Sequence, residues 1–247
     1  MSIPKQLFQT WKTKNITNEL KEITGTWQQK NKNYKYFLYD DDECENFIKN
    51  NFDNDVLSAY KKIIIGAFKA DLWRVCILYQ LGGFYCDIDT LCIGDIDSFI
   101  REDTKFIAAV DLNNYCPTGH AIFNAFMGAE KHSTIMQLCI DKIVHNVHNN
   151  ITDIPAVDFT GCGIVGRSLN SYLENLETSS FIGQQDQWLD SGVVLLHFNR
   201  EDEMIMDTKG QKLFQNKNKN PRIKKIYDNQ CLKDNVTYWF GADKWII

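Results

Sequence analysis

The sequence lacks long apolar runs, an excess of basic residues and closely paired cysteines. No stretch approaches the roughly 18 apolar residues that a transmembrane helix needs, so we expect no membrane span. Lys and Arg number 27 against 32 Asp and Glu, which gives a formal net charge of −5. Such a chain has no basic field to attract nucleic acid, although a small anionic ligand held by a metal ion is compatible with this charge.

The cysteines indicate a reducing compartment. All 8 are scattered along the chain without a CxxC pair. The N-terminus lacks the basic-then-apolar layout of a secretory signal. We therefore expect free thiols and a cytoplasmic protein.

The chain also lacks a linker or repeat that would divide it, and its 247 residues with 44% apolar content suit a single α/β domain. Periodicity predicts strands over residues 3–11, 34–39, 84–89, 106–111 and 193–197. It predicts helices over residues 18–30, 40–52, 56–65, 67–81 and 134–147, and a glycine-rich turn at 159–166 that opens a further helix. Alternating strands and helices favour a mostly parallel central sheet flanked by helices. The basic, Asn-rich segment from Lys209 to Lys225 is predicted to be an exposed, solvated loop.

What the chain does have is a concentrated block of chemistry between residues 67 and 90. A helix carries Asp71 and Arg74 on one face, because residues three apart share a face. Gly82 ends that helix, and the following strand delivers Asp87 and Asp89 at its end, both on the same side of the sheet. Two carboxylates held this close repel each other unless a cation or a proton lies between them. A divalent metal bridging to a phosphate-bearing ligand satisfies that requirement.

Each of these features also has a plainer interpretation. Asp71 and Arg74 can form a structural ion pair, and Asp87 and Asp89 can be a solvated strand end. The second Asp-x-Asp, at Asp95 and Asp97, is interpreted as an exposed acidic pair and as a candidate cap for the next segment. The joint occurrence of helix, double glycine and acidic pair in one block favours the functional interpretation.

These residues resemble the signature of family-32 glycosyltransferases and of related sugar-transferring toxins and yeast-type α-mannosyltransferases. The resemblance rests on ADLWR at 70–74, LYQLGGFYCDID at 78–89 and IPKQLFQTW at 3–11, with weaker similarity at Asn124, Thr160-Gly161 and the C-terminal tryptophan. It implies a GT-A fold, in which an Asp-x-Asp holds Mn²⁺ or Mg²⁺ on the diphosphate of a nucleotide sugar. The family usually has His where this chain has Phe8, a change that we interpret as packing.

The resemblance also implies a role for each matching residue. Asp89 would be the direct metal ligand, and Asp87 would meet the ribose and sugar, close enough to share the metal. Asp71 and Arg74 would grip the sugar hydroxyls, with Arg74 also near the phosphates. Trp11 would stack on the base, although it fits a core position equally well.

Two roles at the C-terminal end are less well matched by the family pattern. Trp245 would match the tryptophan that closes over the leaving diphosphate. Many relatives carry a His and a Ser just before that tryptophan, and this chain has neither. Asp243 is the candidate for the additional metal ligand, with His197 as its competitor.

The resemblance implies a metal-dependent, retaining hexosyltransferase that forms an α-linkage to a glycan or other hydroxyl acceptor. A UDP-sugar is favoured over a GDP-sugar as donor. We expect residues 1–112 to form the donor-binding half and residues 113–247 the acceptor-binding half of one catalytic domain. The alternative is a catalytically silent glycan- or protein-binding module on the same fold.

Overall fold

A computed structural model describes residues 3–111, 121–175, 187–188, 192–199, 201–207, 209–236 and 245–247. Its strands are β1 (Gln6–Thr10), β2 (Lys35–Tyr39), β3 (Gly83–Cys86), β4 (Thr90–Cys92), β5 (Phe106–Val110), β6 (Ile122–Ala129), β7 (Gln187–Trp188), β8 (Val193–Asn199), β9 (Met204–Met206) and β10 (Lys212–Asn216). Its helices are α1 (Asn18–Lys30), α2 (Asp41–Asn51), α3 (Asn54–Lys62), α4 (Gly66–Leu81), α5 (Thr134–His148), α6 (Ala156–Phe159), α7 (Cys162–Asn175) and α8 (Pro221–Asp234). Short 3-10 helices occupy Ile96–Phe99 and Lys217–Lys219.

The described strands form one sheet in the order β2-β1-β3-β6-β5-β8-β9-β10-β4, with β7 paired to β8. Strands β2, β1 and β3 run parallel, as do β5 and β8, and the other pairs are antiparallel. The predicted α/β fold is confirmed, and its parallel part contains the strands that precede Trp11 and Asp87. Because β1 and β3 are parallel neighbours, the residues that follow them emerge at the same edge of the sheet.

The junction between α4 and β3 is fixed by two glycines, as the sequence predicts. Gly82 has φ +66° and Gly83 has φ +110°, in the region that residues with a side chain rarely adopt. A Cβ on Gly82 would also lie 2.7 Å from the backbone nitrogen of Lys131. The chain can therefore turn from helix to strand here without separating the two elements.

Both faces of the sheet are covered by apolar side chains. On β3, Phe84 packs with Trp27 of α1, whereas Tyr85 packs with residues of α4 on the other face. Phe8, at the position where the family usually has His, is fully buried and stacks on Phe37 with ring centroids 5.5 Å apart. The interpretation of Phe8 as a packing residue is confirmed.

A smaller third cluster lies beneath α8. It joins Trp11, which follows β1, and Ile88, which follows β3, to Ile223 and Cys231 of α8. Helix α8 therefore packs directly on the edge of the sheet where the predicted site lies.

Two sequence predictions were wrong. The segment from Lys209 to Lys225 is not one exposed loop: it contains β10, a 3-10 helix and the start of α8, and Leu213 and Phe214 are fully buried. Strand β3 ends at Cys86, so Asp87 and Asp89 lie in a turn closed by a hydrogen bond from the Thr90 amide to the Asp87 carbonyl (3.2 Å). The alternation of a strand therefore does not govern the directions of these two carboxylates.

Three other expectations are testable on the described residues. The seven cysteines among them are free thiols. Asp95 caps the 3-10 helix that follows it, as its Oδ1 accepts a hydrogen bond from the Asp97 amide. No helix in the described ranges is long and apolar enough to cross a membrane.

Candidate functional site

Asp71 of α4 is a buried carboxylate held by partners from distant parts of the chain. Its Oδ1 accepts a hydrogen bond from the Asn124 amide (2.9 Å), and its Oδ2 accepts one from the Thr160 hydroxyl (2.7 Å). Burial raises the pKa of Asp71, and Arg74 and Thr160 oppose that rise. The carboxylate is thereby fixed in orientation before any ligand arrives.

Arg74, one turn further along α4, joins two carboxylates. Its Nη2 lies 3.2 Å from Asp71 Oδ1 and 3.3 Å from Asp87 Oδ1. Its Nη1 donates to the Asn124 carbonyl (2.6 Å), and its guanidinium lies over the Tyr85 ring at 4.5 Å. Burial lowers the pKa of Arg74, but the neighbouring acidic groups, Asp87 foremost, together outweigh burial and raise the pKa above its usual value. The predicted pairing of Asp71 with Arg74 is confirmed, and it extends to Asp87.

Asp87 is fixed through both its side chain and its backbone. The Tyr85 hydroxyl donates to Oδ1 (2.6 Å), and the Gln9 amide donates to the Asp87 carbonyl (3.0 Å). The Asp87 amide donates to the Ala125 carbonyl (2.8 Å), which continues the pairing of β3 with β6. This register explains why Asn124, two residues into β6, lies beside the helix that carries Asp71.

These groups line a cavity of about 190 Å³. Asp71, Arg74, Asp87 and Asn124 form its polar wall, and we call these four residues the open end of the site. The lining also includes Phe68, Val157, Gly161 and Cys162. A Cβ on Gly161 would lie 3.6 Å from Asp71 Oδ2, so the glycine keeps space free beside the carboxylate. A larger surface groove of about 700 Å³ between α5 and α7 contains none of the predicted site residues.

Asp89 has different surroundings from Asp87. It is 5% exposed, and its Oδ2 forms an ion pair with Lys217 Nζ. Lys217 also lies over the ring of Tyr227, with Nζ 4.0 Å from the centroid. We call Trp11, Asp89, Lys217 and Tyr227 the covered end of the site.

A divalent cation fits the donor set around Asp89. Its Oδ1 is buried and has no hydrogen-bond partner among the described residues, so it is an uncompensated carboxylate oxygen. Burial raises the pKa of Asp89, and Lys217 opposes that rise. The described residues contain no group of three or more His, Cys, Asp or Glu that could hold a metal ion. Mg²⁺-type sites commonly use one or two carboxylates and complete their shell with water and substrate phosphates, which is the arrangement this pair can supply.

Trp11 lies at the covered end but is almost completely enclosed by α8. It is 8% exposed, its Nε1 donates to Asp234 Oδ2 (2.6 Å), and its ring meets Tyr227 edge-on with centroids 5.4 Å apart. Its contacts are those of a core residue. The stacking of Trp11 on a base stays a prediction, and it requires a face of the ring that α8 covers in this structure.

The predicted C-terminal residues are described in part. The Trp245 ring packs edge-on against Phe68, with centroids 5.5 Å apart, and at an interplanar angle of 44° against Phe159, with centroids 5.2 Å apart. It borders the cavity through Phe68. Its carbonyl accepts a hydrogen bond from the Ile64 amide (2.8 Å) just before α4. Asp243 lies outside the described residues. His197 lies in β8, opposite Val110 of β5.

Sequence reasoning did not assign Lys217, Tyr227 or Tyr85 to the site. Tyr85 carries a local signal, because it lies in β3 two residues before Asp87. Lys217 carries none, because it belongs to a basic, Asn-rich segment and meets Asp89 only through the packing of β10 and α8. Asn124 and Thr160, which the sequence marks only by weak family similarity, are brought into direct contact with Asp71.

Comparison with known proteins confirms the resemblance to glycosyltransferases. Residues 17–106 match the family described as the glycosyltransferase sugar-binding region containing a DXD motif. This range includes Asp71, Arg74, Asp87 and Asp89, and it excludes Asn124, Thr160 and Lys217.

Individual relatives agree. The chain is 34% identical over 110 residues to an initiation-specific alpha-1,6-mannosyltransferase of Candida albicans, a match that covers 42% of this chain and 29% of that protein. It is 29% identical over 180 residues to an uncharacterized glycosyltransferase of Acanthamoeba polyphaga mimivirus, covering 72% of this chain and 68% of that protein. The match therefore spans less than a third of the mannosyltransferase and about two thirds of the viral protein.

A solved structure confirms the fold. The PaToxG glycosyltransferase superimposes with a TM-score of 0.54 at 18% identity, covering 71% of this chain and 72% of that one. The predicted GT-A arrangement is thus confirmed.

Proposed function

We propose that the protein transfers a hexosyl group from a nucleotide sugar to a hydroxyl acceptor with retention of the anomeric configuration, which gives an α-linkage. The observation that carries the proposal is the placement of four charged side chains at one edge of the sheet. Asp71, Arg74 and Asp87 line one cavity, and Asp89, two residues beyond Asp87, presents an unpartnered carboxylate oxygen. All four lie in the range that matches the DXD family.

The open end is suited to hold the donor sugar. An ionised carboxylate has about four acceptor positions, so Asp71 can accept a sugar hydroxyl in addition to its contacts with Asn124, Thr160 and Arg74. Hydrogen bonds to an ionised acceptor are the strong ones. Arg74 holds Asp71 and Asp87 in place and lends positive potential to the cavity.

The covered end is suited to hold the leaving nucleoside diphosphate. Asp89 and Asp87 would hold Mn²⁺ or Mg²⁺, and such an ion supplies positive charge that stabilises the phosphate as it departs. Lys217 adds a second positive charge beside Asp89. We retain the proposals that Trp11 contacts the base, that Trp245 closes over the diphosphate and that Asp243 or His197 completes the metal shell.

Retention fits a front-face route. The acceptor hydroxyl approaches from the side that the diphosphate leaves, and the departing phosphate oxygen takes the proton of that hydroxyl. The positive charge of Arg74 beside Asp87 and of Lys217 beside Asp89 favours the separation of charge that this route requires.

The relatives' names favour a mannosyl group as the sugar that is transferred, since the Candida albicans relative is named a mannosyltransferase. The nucleotide is a separate question. Our preference for UDP comes from the sequence resemblance, so the donors to be tested include both UDP- and GDP-linked hexoses. We propose that acceptor recognition lies in residues 113–247.

The test is release of a nucleoside diphosphate from a panel of UDP- and GDP-hexoses in the presence of Mn²⁺, with and without simple glycoside acceptors. One donor should be turned over, by transfer or by slow hydrolysis, and Asp89→Ala should slow the release about 10²-fold or more. Asp97→Ala, in the second Asp-x-Asp, is the matched control and should be fully active. Failure of every donor to bind or react in the wild type contradicts the proposal.

The second candidate is a binding module without turnover. The observation in its favour is the covered end, where α8 encloses Trp11 and Lys217 pairs with Asp89. Calorimetric binding of a nucleotide sugar without any release of diphosphate over days would favour this candidate over the transferase.

A further inference from the structure

Lys217 lies where a cation on Asp89 is expected. Its ammonium group is paired with Asp89 Oδ2, while Asp89 Oδ1 has no partner among the described residues. An ammonium and a divalent metal satisfy the same need, which is positive charge at hydrogen-bonding distance from a buried carboxylate.

The position of Lys217 is built by the fold. It begins a 3-10 helix whose first amide is capped by the Asn216 side chain (2.6 Å), directly after β10 has paired with β4. Tyr227 of α8 faces the ammonium with its ring, at 4.0 Å. The side chain of Lys217 is 21% exposed, so it is not a freely solvated lysine.

We propose that Lys217 is the resident cation of the metal site. It compensates Asp89 in the ligand-free protein, keeps divalent metal from binding alone, and moves to the diphosphate when metal and nucleotide arrive together. The proposal rests on the proposed function, because the ligand that draws Lys217 away is the diphosphate of the donor. It adds to that function a coupling: metal and nucleotide bind cooperatively.

The charges support an exchange. With Lys217 on Asp89, a divalent ion meets a carboxylate whose charge is already compensated, and it would lie against a like charge. A nucleoside diphosphate brings negative charge that both the metal and the ammonium can share. The diphosphate therefore removes the cost of placing two cations at one carboxylate.

The experiment measures Mn²⁺ binding directly, by the loss of the electron paramagnetic resonance signal of free Mn²⁺, with no turnover involved. Without nucleotide, Lys217→Met should bind Mn²⁺ about tenfold or more tightly than the wild type, because it removes the ammonium that competes with the metal for Asp89. Lys219→Met, an exposed lysine in the same 3-10 helix, should behave as the wild type. With saturating Mn²⁺, Lys217→Met should bind UDP or GDP about tenfold more weakly than the wild type and Lys219→Met do, because it lacks one charge-assisted contact to the diphosphate.

Wild-type protein supplies an independent measurement if Lys217→Met does not fold. Addition of UDP or GDP should strengthen Mn²⁺ binding to the wild type by about tenfold or more, after correction for Mn²⁺ bound by free nucleotide. Tight Mn²⁺ binding by the wild type alone, or equal affinities in a folded Lys217→Met and the wild type, overturns the proposal. These outcomes are read from metal binding, so they are distinct from a failure of all donors to react.

Discussion

The two ends of the site use charge in opposite ways. At the open end, Arg74 lies between Asp71 and Asp87, and these three side chains line a cavity of about 190 Å³. At the covered end, Lys217 neutralises Asp89, and α8 encloses Trp11. The open end is arranged to receive a ligand as it stands, whereas the covered end must change its contacts to receive one.

The difference follows from which elements form each end. The open end is formed by the middle of α4, the turn after β3 and the start of β6, and these elements pack in the main core. The covered end depends on a 3-10 helix and α8, which pack on the small cluster around Trp11 and Ile88. A change of contacts on ligand binding costs less free energy where fewer apolar contacts must be broken, as in this small cluster.

The largest effect is expected at Asp89. Asp89→Ala should lower kcat about 10²- to 10³-fold or more, because it removes the ligand that places positive charge on the leaving phosphate. The rate of diphosphate release under saturating donor and Mn²⁺ gives the value. Asp71→Asn is measured in parallel. If it lowers kcat more than Asp89→Ala does, the carboxylate more important for catalysis is the one at the open end, which contradicts this prediction.

The next largest effect is on stability, and it distinguishes the buried ion pairs of Arg74 from an ion pair on the surface. Arg74→Met should lower the free energy of unfolding by about 3 kcal/mol or more, because it leaves Asp71 and Asp87 without their shared cation. Arg222→Met is the matched control, since its pair with Glu22 (3.0 Å) is largely exposed, and it should change stability by no more than about 0.5 kcal/mol. Urea denaturation measures both, and equal losses would contradict the structural role of Arg74.

A smaller effect is expected from filling the cavity. Gly161→Ala places a methyl group 3.3 Å from the Val157 carbonyl oxygen and 3.6 Å from Asp71 Oδ2. The intact donor should bind about three- to tenfold more weakly, whereas the free nucleoside diphosphate should bind unchanged, because only the sugar enters the open end. Gly66→Ala, where a Cβ meets nothing within 4 Å, is the control. Isothermal titration calorimetry with donor and diphosphate separates the two results.

The smallest effect tests the second acidic pair. Burial raises the pKa of Asp97, but hydrogen bonds from Lys5 and Tyr34 outweigh it, so the folded-state pKa lies below the usual value. A lowered carboxyl pKa stabilises the fold above the unfolded-state pKa and ceases to do so as the pH falls through the folded-state pKa. Asp97→Asn should therefore cost at most about 1 kcal/mol near pH 7, and the loss should shrink below about pH 4. Thermal unfolding across that range measures it, and a loss that grows toward acid pH would contradict the assignment.

The sequence predicts local features of this molecule well. Helix α4 and its end at Gly82 are predicted because apolar periodicity and a double glycine are signals within one segment. The pairing of Asp71 with Arg74 is predicted for the same reason, since one turn of helix determines it.

Features that depend on distant segments are predicted poorly. The segment KLFQN forms β10 because it pairs with β9 on one side and β4 on the other, which its composition alone does not indicate. Lys217 meets Asp89 across 128 positions of the chain. The sequence also does not show where β3 ends. The strand stops at Cys86 because its registered pairing with β6 stops there, and the chain then turns at Asp87–Thr90.

The hydrogen bonds on Asp71 also bear on how the protein acquires its site during folding. Its partner Asn124 lies 53 positions away and Thr160 lies 89 positions away, so neither contact can form before the intervening loops have closed. A fragment ending near residue 112 would carry all four charged side chains of the signature and yet lack the groups that orient the first of them. We therefore expect ligand binding to emerge late in refolding, after secondary structure has formed, which makes it a sensitive reporter of complete native topology.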